Sequence, residues 1–194
     1  MIILMNNQLK LAGKRMTYIL RHQLDEFVHD NNGYVKVSLI IKSDSTIFKG
    51  INNADIHVIV SNDNKDRFGL ITKGHDLYIR ANQGHSSGHL NDDSMLELIT
   101  IPIDGCFHGT YIKHISSIQT NGLSRMSRKH IHIAVSEDSK SGKRATCNRK
   151  IYINMALAIE DGIPFYRSSN NVILTPGDEN GILLPKYFLN IEEI

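Results

Sequence analysis

Arginine and histidine dominate the residues of this sequence that could do chemistry. Arg128, His130 and His132 alternate with Lys129, Ile131 and Ile133. In an extended strand successive side chains point to opposite faces, so the Arg-His-His row would share one face and the isoleucines the other. An apolar face packs on a core, while a row of guanidinium and imidazole groups suits phosphate or a polar cofactor. A solvated strand face accounts for the same alternation at least as well. The 10 histidines invite a metal reading. His85 and His89 are four apart in a loop-like stretch and His130 and His132 two apart, but there is no HExxH pattern and no Cys/His cluster, so no metal site is expected. No Gly-x-Ser-x-Gly elbow, Walker loop or Gly-x-Gly-x-x-Gly fingerprint is present, which argues against a Rossmann-type dinucleotide site. No pair of carboxylates stands out as an acid/base dyad. The inventory favours binding and moving phosphate-bearing groups over hydrolysis by paired acids.

The elements that must position these groups fall into two patterns. Leu9, Ala12, Met16, Ile19 and Leu20 recur at helical spacing, and the helix should end near Arg21-His22, where cations complement the helix dipole. That dipole is by itself a sufficient structural reason for Arg21. Asn31-Asn32-Gly33 reads as a turn, Tyr34 to Val37 as a strand and Ser38 to Ile41 as the start of a helix. Ile56 to Val60 is β-rich, Asn62 to Asp66 a polar turn, and Phe68 to Ile71 and Leu77 to Arg80 the arms of a hairpin. Short helices followed by a hairpin suit a winged-helix module. Residues 82–94 have Leu90 as their one large apolar residue and form the candidate linker. Beyond it, 96–103 reads as a strand, Tyr111 to Thr120 as a helix closed by Asn121-Gly122, and His130 to Val135, Lys150 to Met155, Val172 to Thr175 and Gly181 to Leu184 as strands, with a short helix over 156–161.

Composition sets the bounds. The chain has 194 residues, 41% apolar and 22% charged, enough for one or two small globular domains without covalent staples. The net charge of +2 is weak evidence for any partner. Its distribution says more: residues 1–24 carry Lys10, Lys14, Arg15 and Arg21 with no acid, and residues 124–150 carry eight Lys and Arg against Glu137 and Asp138. Two such segments could line one anionic-ligand cleft or be two solvated faces. Cys106 and Cys147 have no CxxC partner, which suits a reducing compartment and excludes a zinc ribbon. The apolar start Met1 to Met5 is too short for a signal peptide, and no run reaches the length of a membrane span. The expectation is a soluble, intracellular protein, a monomer without a membrane partner.

An ordered series of motifs runs through the chain. Leu20-Arg21-His22, Lys65-Asp66-Arg67-Phe68 and Ile79-Arg80-Ala81-Asn82-Gln83-Gly84-His85-Ser86 come first. His108-Gly109-Thr110, the stretch from Gly122 to His132, Gly162-Ile163-Pro164-Phe165, the stretch from Asn170 to Gly177 and Leu184-Pro185-Lys186-Tyr187-Phe188 follow. The series resembles the tRNA 2′-phosphotransferase family over nearly the whole chain, especially its eukaryotic members. The resemblance implies an α+β protein with a winged-helix lobe that helps bind RNA, over 1–93, and an NAD-binding lobe of the ADP-ribosyltransferase fold, over 94–194. It maps the family's catalytic set onto Arg21, His22, Arg67 and Arg128. Its NAD-contacting positions fall on His108, Gly109, Thr110, His132 and Val172, and further ones near the adenosine diphosphate on Ser136, Gly142 and Arg144. Arg80, Gln83 and His85 are expected to face RNA or phosphate. The implied reaction moves an internal RNA 2′-phosphate, as at a tRNA splice junction, to ADP-ribose through a branched intermediate. It leaves 2′-OH RNA, ADP-ribose 1″,2″-cyclic phosphate and nicotinamide, and needs no metal. Asn32-Gly33 stands where the family has Asp-Gly, and Met1 to Gln8 has no family counterpart. His29, His57, His75 and His114 belong to no motif and are taken as structural; His89 and His130 are left unassigned. Two rivals use the same sequence: an ADP-ribosyltransferase that caps terminal nucleic-acid phosphates and stops at the adduct, and a non-catalytic RNA-binding module.

Overall fold

The computed structural model describes residues 7–86 and 96–194. Met1 to Met5, His89, most of the expected linker and the expected boundary between 93 and 94 lie outside the described residues. The chain divides into two compact units, Met1–Met95 and Leu96–Ile194.

The first unit is built on α1 (Asn7–His22), which buries Leu9, Ala12, Met16, Ile19 and Leu20. Their spacing of three or four makes one continuous apolar stripe. After the turn at 31–32 come β1 (Val35–Lys36), α2 (Val37–Ser43) and α3 (Asn53–Ser61), then the hairpin of β2 (Phe68–Lys73) and β3 (Asp76–Ala81). The strands form an antiparallel sheet in the order β1-β3-β2. One core joins α1, α2, α3 and the sheet through Met16, Ile40, Phe48, Ile56, Ile59 and Ile79. The β-rich segment Ile56 to Val60 is helix, not strand. The Asn52 side chain accepts from the Ala54 and Asp55 N–H groups while the Asp55 carboxylate accepts from the Asn52 N–H. This reciprocal cap satisfies donors that the first helical turn leaves open. Ile56 and Ile59, three apart, then face the core, and tertiary packing overrides the β preference of the branched residues.

The second unit is strand-rich. In order it contains β4 (Glu97–Leu98), β5 (Phe107–Thr110), α4 (Ile112–Asn121), β6 (Leu123–Ser124), β7 (Ile131–Ala134), β8 (Arg149–Ile153), α5 (Met155–Glu160), β9 (Tyr166–Arg167), β10 (Val172–Thr175), β11 (Ile182–Leu183) and β12 (Phe188–Glu193). Seven strands pair in the order β12-β8-β5-β7-β10-β9-β4, and β6 pairs with β11. All the pairings are antiparallel. Every residue of β10 is buried, as an inner strand requires, whereas the edge strand β12 exposes most of its side chains. The strand expected over 96–103 shrinks to Glu97-Leu98; Pro102, without an N–H, cannot extend the ladder. Helix α4 ends at Gly122, whose φ of 85° and close approach to Leu183 O exclude a side chain. The architecture is α+β. No helix among the described residues is long and apolar enough to cross a membrane.

Candidate functional site

In the first unit the chain returns from β3 to the end of α1. The Ser86 N–H donates to Arg21 O at 2.8 Å, and the Ser86 hydroxyl lies 2.9 Å from His22 Nδ1. Farther back in this segment, the Asn82 N–H donates to Arg67 O at 2.8 Å. Residues 82–86 therefore link the end of α1 to Arg67, with Gln83 and His85 buried between them. Arg67 precedes β2, and its guanidinium pairs with the Asp63 carboxylate. The other Asp63 oxygen accepts the Arg67 N–H at 2.5 Å. Asp63 holds the head and the backbone of Arg67 at once, which fixes a long side chain at low entropic cost. On the hairpin, Arg80 stacks over the Tyr34 ring at 4.8 Å, and its Nε is buried without a hydrogen-bond partner. Gly69 makes this placement possible, since a Cβ there would come within 3.1 Å of Arg80 Nε and of Tyr34 Oη. Buried donors are normally paired, so Arg80 Nε is open to a ligand or a water molecule.

In the second unit His108, Gly109 and Thr110 occupy β5 and His132 lies on β7. His108 Nδ1 donates to His132 O at 2.8 Å. That bond fixes the tautomer and leaves Nε2 as the free acceptor. Burial holds the His108 imidazole below its ordinary pKa; the His132 carbonyl opposes this, and the charges of Arg144 and Arg128 add to it. The ring is thus kept neutral. Arg128 is also shifted down, first by desolvation and then by the neighbouring Arg144. Arg144 lies over the Tyr111 ring at 5.6 Å. Val172 is buried and pairs with Ala134, and Ser136 is exposed just after β7. His130 packs edge-on against Tyr166 at 6.0 Å.

The loop between β7 and β8 covers this strand face. Gly142 has a φ of 84°, and a Cβ on it would come within 2.7 Å of Ile133 O. A Cβ on Gly109 would meet Cys147 Sγ at 2.8 Å and Lys143 Cβ at 3.3 Å. The loop is tied to β8 where Glu137 accepts from Lys150 Nζ at 2.5 Å and from Tyr152 Oη at 2.8 Å. It is tied to the start of α4 where Asn148 Oδ1 accepts from the Ile112 N–H at 2.9 Å. Arg128 differs from the expected strand row. It lies in the turn before β7, its N–H donating to Arg125 O at 3.1 Å while Arg125 Nη1 donates back to Arg128 O. Strand alternation holds only from Ile131, with Ile131 and Ile133 buried and His132 half-buried.

Comparison with known proteins decides the family. A family model described as RNA 2′-phosphotransferase, Tpt1 / KptA family, matches residues 7–177. The chain belongs to this family. It is 37% identical to tRNA 2′-phosphotransferase 1 of Danio rerio, over 94% of this chain and 84% of that protein. It is 37% identical to tRNA 2′-phosphotransferase 1 of Homo sapiens, over 91% of this chain and 72% of that protein. The probable RNA 2′-phosphotransferase of Acaryochloris marina is 34% identical over its full length and 97% of this chain. The family read from the ordered motifs, with its eukaryotic character, is borne out.

Several residues of this RNA 2′-phosphotransferase family member play parts that sequence reading missed. Asp63 holds Arg67 from four positions upstream, and acid-base spacing of four was the available signal. Ser86 contacts both Arg21 and His22. Glu137 and Cys147 anchor and fill the loop over β5; no local pattern marks either. Among the described residues no group of three or more His, Cys, Asp or Glu could hold a metal ion.

Proposed function

We propose that this protein is an NAD-dependent RNA 2′-phosphotransferase, acting as a monomer on intracellular RNA such as spliced tRNA. The observation that carries this is the family match over residues 7–177, with relatives named tRNA 2′-phosphotransferase over most of their length. The helices and hairpin of the first unit support a winged-helix RNA lobe, and the antiparallel strands of the second support an ADP-ribosyltransferase-like lobe. In this reading Arg21, His22, Arg67 and Arg128 are the catalytic residues, and Arg80, Gln83 and His85 face RNA or phosphate.

The second unit's donor set fits NAD. Arg144 offers a guanidinium for a pyrophosphate, and a neutral His108 with Nε2 open can accept from a ribose hydroxyl. Gly109 and Gly142 let the loop that carries Arg144 pack close against β5 and β7, and Ser136, Thr110, His132 and Val172 complete the lining. When bound, NAD supplies an anomeric carbon with a cationic nicotinamide leaving group, and ADP-ribose 1″,2″-cyclic phosphate is the product that carries the RNA's former 2′-phosphate. The protein's task is positional and electrostatic. Guanidinium groups hold the dianionic 2′-phosphate bidentately and stabilise charge that builds on phosphorus-bound oxygen. His22, oriented by the Ser86 hydroxyl, hydrogen-bonds the phosphate or returns a proton to the departing 2′-oxygen.

The deciding experiment incubates a 2′-phosphorylated oligonucleotide with and without NAD and weighs both products by mass spectrometry. The expected result is loss of the phosphate only with NAD, together with ADP-ribose cyclic phosphate. Phosphate release without NAD, or an RNA that keeps ADP-ribose as a stable adduct, overturns the reading.

A further inference from the structure

Between α1, the end of α3 and the turn before β2 lies a groove of about 450 Å³. Lys10 and Lys14 of α1 line one wall, Asp63 and Arg67 the other, and Gly13, Ile59 and Phe68 the floor. Gly13 is what opens it: the position stands so close to α3 that a Cβ would come 3.1 Å from Ile59 Cγ2. Asp63, the one acid in the lining, is neutralised by Arg67 and by the Arg67 N–H. Lys10 and Lys14 are exposed and have no carboxylate partner among the described residues. The groove therefore has a net positive wall over an apolar floor. Lys10, Lys14, Thr17 and Arg21 follow each other at steps of four, three and four, so they form one stripe along α1. That stripe runs from the groove to the helix end that carries Arg21 and His22.

The geometry points to this groove as the seat of the RNA strand next to the 2′-phosphorylated nucleotide. Lys10 and Lys14 hold its backbone phosphates, and the Gly13-Ile59-Phe68 floor takes a ribose or base. Its volume falls at the small end of ligand pockets, roughly 300–1,000 Å³, room for about one nucleotide. A basic wall beside a small apolar floor is the pairing that single-stranded nucleic acid uses, with phosphates on cations and a nucleoside on apolar surface. This inference rests on the 2′-phosphotransferase reading and adds a length-dependent RNA subsite to it.

The test compares wild type with the Lys10→Ala/Lys14→Ala double variant. Turnover is measured on a nucleoside 2′-phosphate with no neighbouring nucleotide and on a single-stranded octanucleotide with an internal 2′-phosphate. Binding of the fluorescent octanucleotide is measured by anisotropy without NAD, from 0.05 to 0.2 M NaCl. Each lost phosphate contact on a single strand removes about 0.7 from the log–log salt slope, so the variant's slope should be shallower by about 1.4. Wild type should then lose about 7-fold more affinity than the variant across that salt range. Turnover of the nucleoside 2′-phosphate should be unchanged, the octanucleotide KM should rise, and Lys10→Arg/Lys14→Arg should restore it. Unchanged octanucleotide binding in the double Ala variant, as expected if an acidic protein segment fills the groove, overturns the inference. Equal loss of turnover on both substrates overturns it too. Failure of the wild type to process either substrate refutes the underlying reaction, and the salt series still reports on the groove separately.

Discussion

Replacing Gly109 by alanine tests whether the loop after β7 is packed on β5 as described. The new Cβ would lie 2.8 Å from Cys147 Sγ, 3.3 Å from Lys143 Cβ and 3.4 Å from Cys147 Cβ. The first contact is too short for a carbon and a sulfur, so the loop must shift or the strand must strain. Inserting a methyl into a packed site of this kind costs about 1–3 kcal/mol. In a chain of this size each kcal/mol lowers the melting temperature by about 2–4 °C. Catalysis should suffer more, because the displaced loop carries Gly142 and Arg144; a misplacement near 1 Å can cost about 10²-fold in rate. Cys147→Ala removes the sulfur and leaves only the tight but tolerable carbon contacts. Alone it should cost little, and in the double variant it should recover most of the lost stability, a coupling of about 1–2 kcal/mol. The assay is calorimetry of the wild type, both single variants and the double variant, with 2′-phosphate removal in the presence of NAD measured on each. If Gly109→Ala melts with the wild type, or if Cys147→Ala rescues nothing, the loop does not pack on Gly109 and the account of this strand face fails.

Three further outcomes are expected. His108 is held below its ordinary pKa of 6.5 by burial, so between its folded pKa and 6.5 the unfolded chain binds more protons; stability is full above pH 6.5 and falls with pH below it. Urea unfolding from pH 7.5 to 5 should therefore show a flatter pH dependence for His108→Asn than for the wild type, and an identical slope would count against the buried neutral ring. Asn52→Ala removes the acceptor that caps α3 and should lower stability by about 1 kcal/mol, read as a shift of the urea midpoint at constant m-value; no shift would mean that the cap is dispensable. His22→Ala and Arg128→Ala should keep the wild-type circular dichroism and melting profile yet lose at least about 10²-fold in phosphate removal, and full activity in either would remove that residue from the proposed catalytic set.

Sequence made legible what depends on neighbours along the chain. The α1 stripe from Leu9 to Leu20, the β2–β3 hairpin around Gly74 and the helix stop at Gly122 all follow from local spacing and turn chemistry. The error at Ile56 to Val60 has the same origin: a β-branched run hid a weaker signal, the Asn52/Asp55 cap that starts a helix. Strands β6, β9 and β4 are two residues each, too short for any period to show. The candidate site divides in the same way. Its arginines and histidines could be named from ordered motifs, but their supports could not. Glu137 meets Lys150 and Tyr152 across 13 and 15 residues, and Ser86 meets His22 across 64. Such pairs exist only once the fold has formed.

Charge balance separates the two units in a way that bears on the proposed chemistry. In the first, Arg67 is already matched by Asp63, so an incoming phosphate must compete with a carboxylate for that guanidinium. In the second, Arg144 stands near enough to Arg128 to disfavour its charge, and both disfavour protonation of His108. Among the described residues neither arginine has a carboxylate partner. Like charges held together without a counter-ion raise the free energy of the free protein, and a bound anion relieves that repulsion while gaining two charge-assisted contacts. The same field that keeps His108 neutral therefore favours an anionic ligand beside it. A lysine in place of Arg128 would keep the charge but lose the planar fork that matches phosphate.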